Sequence, residues 1–380
     1  MRNLPAYDSA KCAFFSLARG GMYAACRMLG LKNGDRVLSP AYDCDTALEP
    51  FKMLGLKVIF YKSDPNTLNA DLDDLAGKLS PGTRLIHIIN HFGFPQDWDR
   101  ISEIARKAGI PVLEDNAYSL FSDVGGRPLG TFGDVSVFSL RKVYPIPDGG
   151  MLRVNRDDLE DVLRKYTARK GNALSWTRAL KYSRPARLLR RRPFIRRCLR
   201  RLLSGPESPP PLYSDSGSRP NRPARDKITH EFAADPLKPM SDYSMRVFKE
   251  FSGLDHGISL QNIRMGYDFL VSQLGGIKGV RIIRPDAPHG AVPFCLSLIL
   301  PRKRDVILAE LRKKYEVMAW PTLPGAVLDE LPSFPEVGAL GRGILQLNLS
   351  IENAARDDFR LYLESLACDV RKMCARHLTS

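Results

Sequence analysis

The sequence is poor in the features that mark the commoner metal sites, cofactors and compartments. Its seven cysteines, Cys12, Cys26, Cys44, Cys198, Cys295, Cys368 and Cys374, are scattered, with no C-x-x-C pair and no zinc-ligand spacing. An odd set spread this way argues against a disulfide framework and for reduced thiols in a cytoplasm-like compartment. No run approaches the ~20 apolar residues that a membrane helix needs. The opening MRNLPAYDSAKCAFF has no long apolar stretch before a cleavage site, so secretion is not expected. There is no G-x-G-x-x-G, no Walker loop and no internal repeat.

What is present is a chain of 380 residues, 44% hydrophobic and 26% charged. That is long enough to bury a full-sized core in two domains, or in one large domain with an appendage. Its net charge of +15 is local. Arg178 to Arg201 holds eleven Lys or Arg and no acid, so without that segment the chain would carry only +4.

From about residue 14 to residue 155, helical and strand patterns alternate: GGMYAACRMLG then RVLSP, ALEPFKMLG then KVIFYK, DLAGKL then RLIHIINH. The clearest unit is DWDRISEIARKAG followed by IPVLED: a helix, a glycine stop, a buried strand and an acidic end. Alternation of this kind predicts an α/β fold with a mostly parallel sheet, whose ligands gather at the carboxyl ends of the strands. Residues 204–227, rich in Pro, Ser and Gly, read as a linker. Beyond them SMRVFKEFSGLDHGISLQNIRMGYDFLVSQLGG predicts helix in two pieces, followed by strands in VRIIRP, FCLSLIL and ILQLNLSI around the helix DVILAELRKKY. The expected division is a large domain over 1–240, interrupted by the basic insertion and linker at about 172–227, and a smaller α+β domain over 241–380.

Three features of the first domain suit one ligand. SLARGGMYAA opens a helix with Arg19, Gly20 and Gly21; free N–H groups and a positive dipole end suit a phosphate. On its own it is equally a plain glycine turn. VLEDNAYS places Glu114 and Asp115 past a buried strand, where a carboxylate can hold a cationic ring nitrogen or simply cap a helix. TFGDVSVFSLRKVYPIPDGG ends an apolar alternating run at Lys142, with Ser139 three residues earlier. A lysine there is either a solvated turn residue or an amine that burial strips of its proton, ready to attack a carbonyl.

Together, GLKNGDRVLSPAY, NHFGFPQDWDRISEIARKAGIPVLEDNAYS and GRPLGTFGDVSVFSLRKVYPIPDGGMLRVN resemble the DegT/DnrJ/EryC1/StrS family of pyridoxal-phosphate sugar aminotransferases. QNIRMGYDFLVSQL is similar to the family's interdomain segment. The resemblance implies an aspartate-aminotransferase-like fold (PLP fold type I) and pyridoxal 5′-phosphate as cofactor. It implies that Lys142 is the Schiff-base lysine and proton shuttle, and that Asp115 is the partner of the pyridinium nitrogen. Ser139 and the turn Ala18, Arg19 and Gly20 would hold the phosphate. It also implies a homodimer whose pockets are built from two subunits, taking an amino group from a donor such as glutamate to a nucleotide-linked keto-sugar in glycan or polysaccharide biosynthesis.

The chain departs from the family pattern inside this pocket. Tyr118 stands where Gln or His is usual, and a phenol would still reach the cofactor's O3′. Ala18-Arg19 replaces Gly-Thr, and Cys44 stands where an aromatic usually stacks on the ring, so that Tyr42 would have to supply the ring face. The spacing from Ser139 to Lys142 is two residues shorter than usual, and PIPDGG replaces a more Gly/Thr-rich segment. Two other readings stand beside the aminotransferase. Dehydratases of this family carry His in place of the lysine, which Lys142 argues against. A non-catalytic, membrane-associated relative would have no need of Asp115, Ser139 and Lys142 together.

In the basic segment, Leu188, Ile195, Leu199 and Leu202 are spaced seven, four and three apart among arginines. This predicts a helix over 184–203 with a narrow apolar stripe, suited to peripheral contact with an anionic membrane surface. Nucleic acid is not expected, because aromatic residues are sparse there and no motif is recognised.

Overall fold

A computed structural model describes residues 4, 7–167, 228–319 and 323–378. The expected basic helix at 184–203 and the linker at 204–227 lie outside the described residues.

The first half is an α/β unit. Its elements are β1 (Cys12–Phe15), α1 (Ala18–Met28), β2 (Arg36–Pro40), α2 (Glu49–Met53), β3 (Lys57–Tyr61), α3 (Leu72–Gly77), β4 (Thr83–Ile89), α4 (Trp98–Ala108) and β5 (Val112–Asp115). A small hairpin, β6 (Asp123–Val124) and β7 (Arg127–Pro128), leads to β8 (Val135–Phe138), α5 (Leu140–Val143), β9 (Gly150–Val154) and α6 (Glu160–Thr167). Seven of these strands form one sheet in the order β1-β9-β8-β5-β4-β2-β3. From β8 to β3 every pairing is parallel; β9 runs antiparallel between β8 and β1.

Period-two alternation sorts the strand residues. Val37, Leu85, Leu113, Val135 and Val137 pack with Met22, Ala24, Ala25 and Phe51 of α1 and α2. Leu38, Ile86, Ile88 and Val112 pack on the other side with Leu72, Leu75, Trp98 and Ile101 of α3 and α4. Each such aliphatic side chain, fully buried, contributes roughly 1.5–3 kcal/mol. Helix α4 begins with Asp97 accepting a hydrogen bond from the Arg100 N–H at 3.1 Å, and ends at Gly109 with φ of 66°, the glycine stop expected of that unit.

The second half is α+β. Helices α7 (His230–Ala234), α8 (Asp242–Ser252) and α9 (Gly257–Leu274) precede β10 (Arg281–Ile283) and β11 (Cys295–Ile299). Then follow α10 (Arg304–Leu311), β12 (Val317–Met318), α11 (Gly325–Asp329), α12 (Pro335–Gly343), β13 (Ile344–Asn348), α13 (Ile351–Ala354) and α14 (Phe359–Leu378). Its four-stranded antiparallel sheet has the order β10-β11-β13-β12. The two-piece helix predicted from the sequence is α8 and α9. Phe248 of α8 buries against Phe138, Leu140 and Tyr144 of the first unit, in one cluster.

Candidate active site

Strands β2, β4, β5 and β8 end at one edge of the large sheet, at Pro40, Ile89, Asp115 and Phe138. Antiparallel β9 begins at that edge with Gly150, paired to Phe15, and α1 starts three residues beyond Phe15. The backbone of the predicted site residues therefore lies at or just beyond the strand ends along a single rim.

Adjacent acids are separated by the pleat. Glu114 faces the α4 side, where its carboxylate accepts from the N–H groups of Gly130 (2.6 Å), Phe132 (3.0 Å) and Gly133 (3.0 Å), and from Ser136 Oγ and Asn90 Nδ2 (both 3.1 Å). It is a structural clasp that fixes the loop feeding β8. Asp115, 6% exposed, faces the α1 side. Its Oδ1 accepts from the Ala117 N–H at 2.8 Å, and its Oδ2 lies 3.6 Å from His87 Nε2. Burial works to raise its carboxyl, but the imidazole of His87, the ammonium of Lys142 and the Ala117 N–H outweigh that and hold it below the ordinary value.

Lys142 is not at the strand end itself. The strand closes at Phe138, and the lysine sits on the single turn α5, whose start is closed by Lys142 N donating to Ser139 O at 3.0 Å. Its Nζ lies 3.6 Å from the centre of the Tyr118 ring, a cation–π contact. Burial pushes the ammonium down to about 8, against the upward pull of Asp115, Cys44 and Asp43. The loop after it is tied down by buried Asp148, whose carboxylate accepts from the Ser241 N–H (2.9 Å), Ser241 Oγ (2.6 Å) and Ser244 Oγ at the start of α8.

Tyr118 does come to the lysine. Its ring is bracketed by Phe92 and Phe294, with centroids at 5.4 and 4.7 Å, and burial pushes its phenol well above the usual value. Ser139 is 4% exposed at the end of β8. Ala18 and Gly20 are in the first turn of α1. That turn is pressed against β9: a Cβ on Gly150 would run into the backbone of Leu17 and Ala18, and one on Gly20 would come within 2.7 Å of Pro236 O. Arg19 is placed differently from the expectation. Its guanidinium pairs with buried Glu49 at 2.5 Å and stacks over Phe232 at 5.1 Å, so its charge is spent on the fold. Tyr42 is also not brought to the rim as a ring face. It is 0% exposed, with its ring 5.7 Å from that of His91 and its backbone oxygen accepting from His91 Nε2 at 3.1 Å. Cys44, where a stacking aromatic was expected, has its Sγ 3.0 Å from Thr46 Oγ1.

Three buried polar residues were not anticipated. Asp43 is 2% exposed; its Oδ1 accepts from the Cys44 N–H at 2.6 Å, and its Oδ2 has no hydrogen-bond partner among the described residues. Burial pushes its carboxyl up to about 7, with Asp115 adding to the rise and His87 opposing it. His87 and Ser39 are both 0% exposed and joined at 2.9 Å, Oγ to Nδ1. Their signals were present: an acid just past a strand in SPAYD, and a lone histidine inside the apolar run RLIHII. A cleft lined by Tyr118, Phe121, Lys142, Ile263, Phe294 and Ser350 opens onto the lysine from between the two halves of the chain.

Residues 8–178 match the model of the DegT/DnrJ/EryC1/StrS aminotransferase family. Over 146 residues the chain is 30% identical to dTDP-4-dehydro-2,3,6-trideoxy-D-glucose 4-aminotransferase of Saccharopolyspora spinosa, a stretch covering 38% of this chain and 38% of that relative. In fold it is similar to the aminotransferase TlmJ from Streptoalloteichus hindustanus, with a TM-score of 0.66 at 22% identity, covering 99% of this chain and 88% of that one. It is also similar to E. coli GDP-4-keto-6-deoxy-D-mannose-3-dehydratase, solved with bound hydrated PLP, with a TM-score of 0.63 at 17% identity, covering 94% of this chain and 87% of that one. The fold is thus that of these solved type I aminotransferase-like structures, and residues 8–178 are similar to the DegT/DnrJ/EryC1/StrS aminotransferase family.

Proposed function

We propose that this chain is a pyridoxal-phosphate-dependent aminotransferase that delivers an amino group to a nucleotide-linked keto-sugar in glycan biosynthesis, with glutamate as donor. It would work in the cytoplasm as a homodimer. The observation that carries the reading is the pairing at one rim of a lysine held near neutrality, at about 8, with a buried carboxylate held ionised. The residues present fit the cofactor: an amine for the aldehyde, an acid for the ring nitrogen, and a hydroxyl and a helix start for the phosphate. Asp43 Oδ2, buried and without a hydrogen bond among the described residues, is a polar atom that a polar ligand would satisfy.

When bound, the cofactor supplies an aldehyde that takes up an amino group and a ring that holds the electron pair of a broken C–H bond. Asp115 Oδ2 accepts the ring N–H and keeps that nitrogen cationic. Ser139 Oγ and the N-terminal end of α1 would hold the phosphate. Lys142 Nζ, whose ammonium burial pushes down to about 8, gives up its proton more readily than a solvated lysine, and would accept a proton and return it to the neighbouring carbon. Tyr118 walls the amine from solvent and offers its hydroxyl to the ring oxygen. The cleft that reaches Lys142 from between the halves marks the side on which the sugar would approach.

A second reading, sugar dehydration, is favoured by the likeness to a dehydratase. Lysine at position 142 speaks for amine transfer instead. Borohydride reduction of the protein with pyridoxal phosphate, followed by peptide mass mapping, should find the pyridoxyl label on Lys142. Incubation with glutamate and a panel of nucleotide keto-sugars should yield an amino-sugar mass. A label elsewhere, or water loss without amine gain, rejects the aminotransferase.

A further inference from the structure

His87 sits at the middle of the sheet, 0% exposed, in a strand whose neighbours Leu85, Ile86, Ile88 and Ile89 are all apolar. An imidazole there costs desolvation that a leucine would not, unless both nitrogens find partners. Both directions are provided for, and from different strands. On one side Ser39 of β2 reaches Nδ1 at 2.9 Å; on the other Asp115 of β5 lies 3.6 Å from Nε2. Strands β2, β4 and β5 are consecutive in the sheet, so the three side chains form a line across it, beneath the rim. The edge of Phe51, with its centroid 5.5 Å from the imidazole, walls the line from the α2 side.

The chemistry of the line is directional. An ionised carboxylate only accepts, so the proton between His87 and Asp115 belongs on Nε2. The Ser39 hydroxyl, which donates or accepts, satisfies Nδ1 in either charge state of the ring. We propose that Ser39, His87 and Asp115 act as one unit in which the imidazole, pinned by Ser39, holds the Asp115 carboxylate ionised and turned toward the cofactor's ring nitrogen. His87 is then a positioning residue. The 3.6 Å separation is just beyond hydrogen-bond length, close enough that a small turn of the Asp115 carboxylate would make the bond. This inference rests on the reading of the site as one for pyridoxal phosphate.

The test uses the full chain and pyridoxal 5′-phosphate labelled with 15N in the ring, with two readouts: affinity of the stripped protein, and the ring-nitrogen chemical shift, which reports protonation. Wild type should show a protonated ring nitrogen. His87→Leu should weaken binding roughly tenfold to a hundredfold, the loss expected for one hydrogen bond to a charged group, and should shift the nitrogen toward its neutral signal. His87→Gln, which keeps a donor, should recover both. Ser39→Ala should move both readouts in the same direction by a smaller factor, about threefold in affinity; it carries the decision if His87→Leu does not fold. Wild type that binds no pyridoxal phosphate overturns the functional reading and this inference with it. Wild type that binds normally, beside Ser39→Ala and His87 variants with unchanged affinity and shift, overturns this inference alone.

Discussion

An ammonium and a carboxyl a short way apart at the rim pull the stability of this protein in opposite pH windows. Lys142 falls from an ordinary 10.5 to about 8, so the cost of keeping it charged is full below about 8 and disappears as pH rises toward 10.5. Asp43 rises from 3.8 to about 7, so its cost is absent below 3.8 and grows until pH passes about 7. Replacing Asp43 with Asn removes the second window. Urea titrations of the Asp43→Asn variant should show stability that no longer declines between those two pH values, and a gain at pH 8 of at most about 4 kcal/mol at 1.36 kcal/mol per pKa unit. An unchanged slope would mean that the acid is solvated. Lys142→Ala should abolish amine transfer, by about 10⁴-fold or more on the scale of lost nucleophiles, while the variant still retains the free cofactor; single-turnover assays with glutamate check this. Asp115 and Ser139 stood out in the sequence because they lie where β5 and β8 end, and Lys142 because it follows β8 within a single turn. Arg19 and Tyr42 were not, since their partners, Glu49 and the His91 ring, are thirty and forty-nine residues away and are set by packing. Tyr118 came through because its departure from the family pattern left an aromatic in the same place.

At the level of elements, the helix–strand alternation translated directly into β2 through β5, since each unit carries its own stop signal and its own apolar period. Strand β1 was missed: four residues, CAFF, have too little length for a period, and the strand exists only because antiparallel β9 pairs with it from Cys12–Arg153 to Phe15–Gly150. The twenty-residue helix α14 was missed as well, its apolar positions being diluted by charge along most of its length. Turn α5 was read as strand because VSVFSL alternates; a single helical turn held by Lys142 N to Ser139 O has no periodic signature. The pairing of β1 with β9 also decides where α1 begins. Gly150 lets the α1 turn lie directly on β9, and a methyl there meets backbone atoms of Leu17 and Ala18 that have nowhere to go. Gly150→Ala should therefore displace the phosphate-holding turn, destabilise the fold by about 1–3 kcal/mol as overpacking does, and weaken pyridoxal phosphate binding more than it lowers the melting temperature would suggest. Equilibrium dialysis beside thermal unfolding separates the two effects; loss of stability with unchanged affinity would detach α1 from the phosphate.

Across the whole molecule the two halves share a continuous core, in which Leu113 and Val137 of the first sheet belong to the same cluster as Leu296 and Leu347 of the second. The active cleft therefore opens between parts that are packed together. The charge is arranged quite differently. Eleven cations from Arg178 to Arg201 stand against a remainder of +4, so almost all long-range attraction for an anionic surface resides in that one segment. Near such a surface each basic residue contributes about 1 kcal/mol. In the sequence, Leu188, Ile195, Leu199 and Leu202 recur among these cations at helical spacing, a pattern suited to an anionic bilayer surface. We propose that residues 184–203 bring the enzyme to an anionic bilayer. The full chain should co-sediment with vesicles containing anionic lipid at low salt and come off as the Debye length shrinks from ~10 Å at 0.1 M toward ~3 Å at 1 M. Neutral vesicles should pellet far less of it. A chain lacking 184–203 should stay in the supernatant in all conditions while keeping its affinity for pyridoxal phosphate, because the residues proposed to hold that group lie within 18–142. Equal sedimentation of the two chains would place the membrane contact elsewhere or nowhere, and leave the basic segment to another anionic partner.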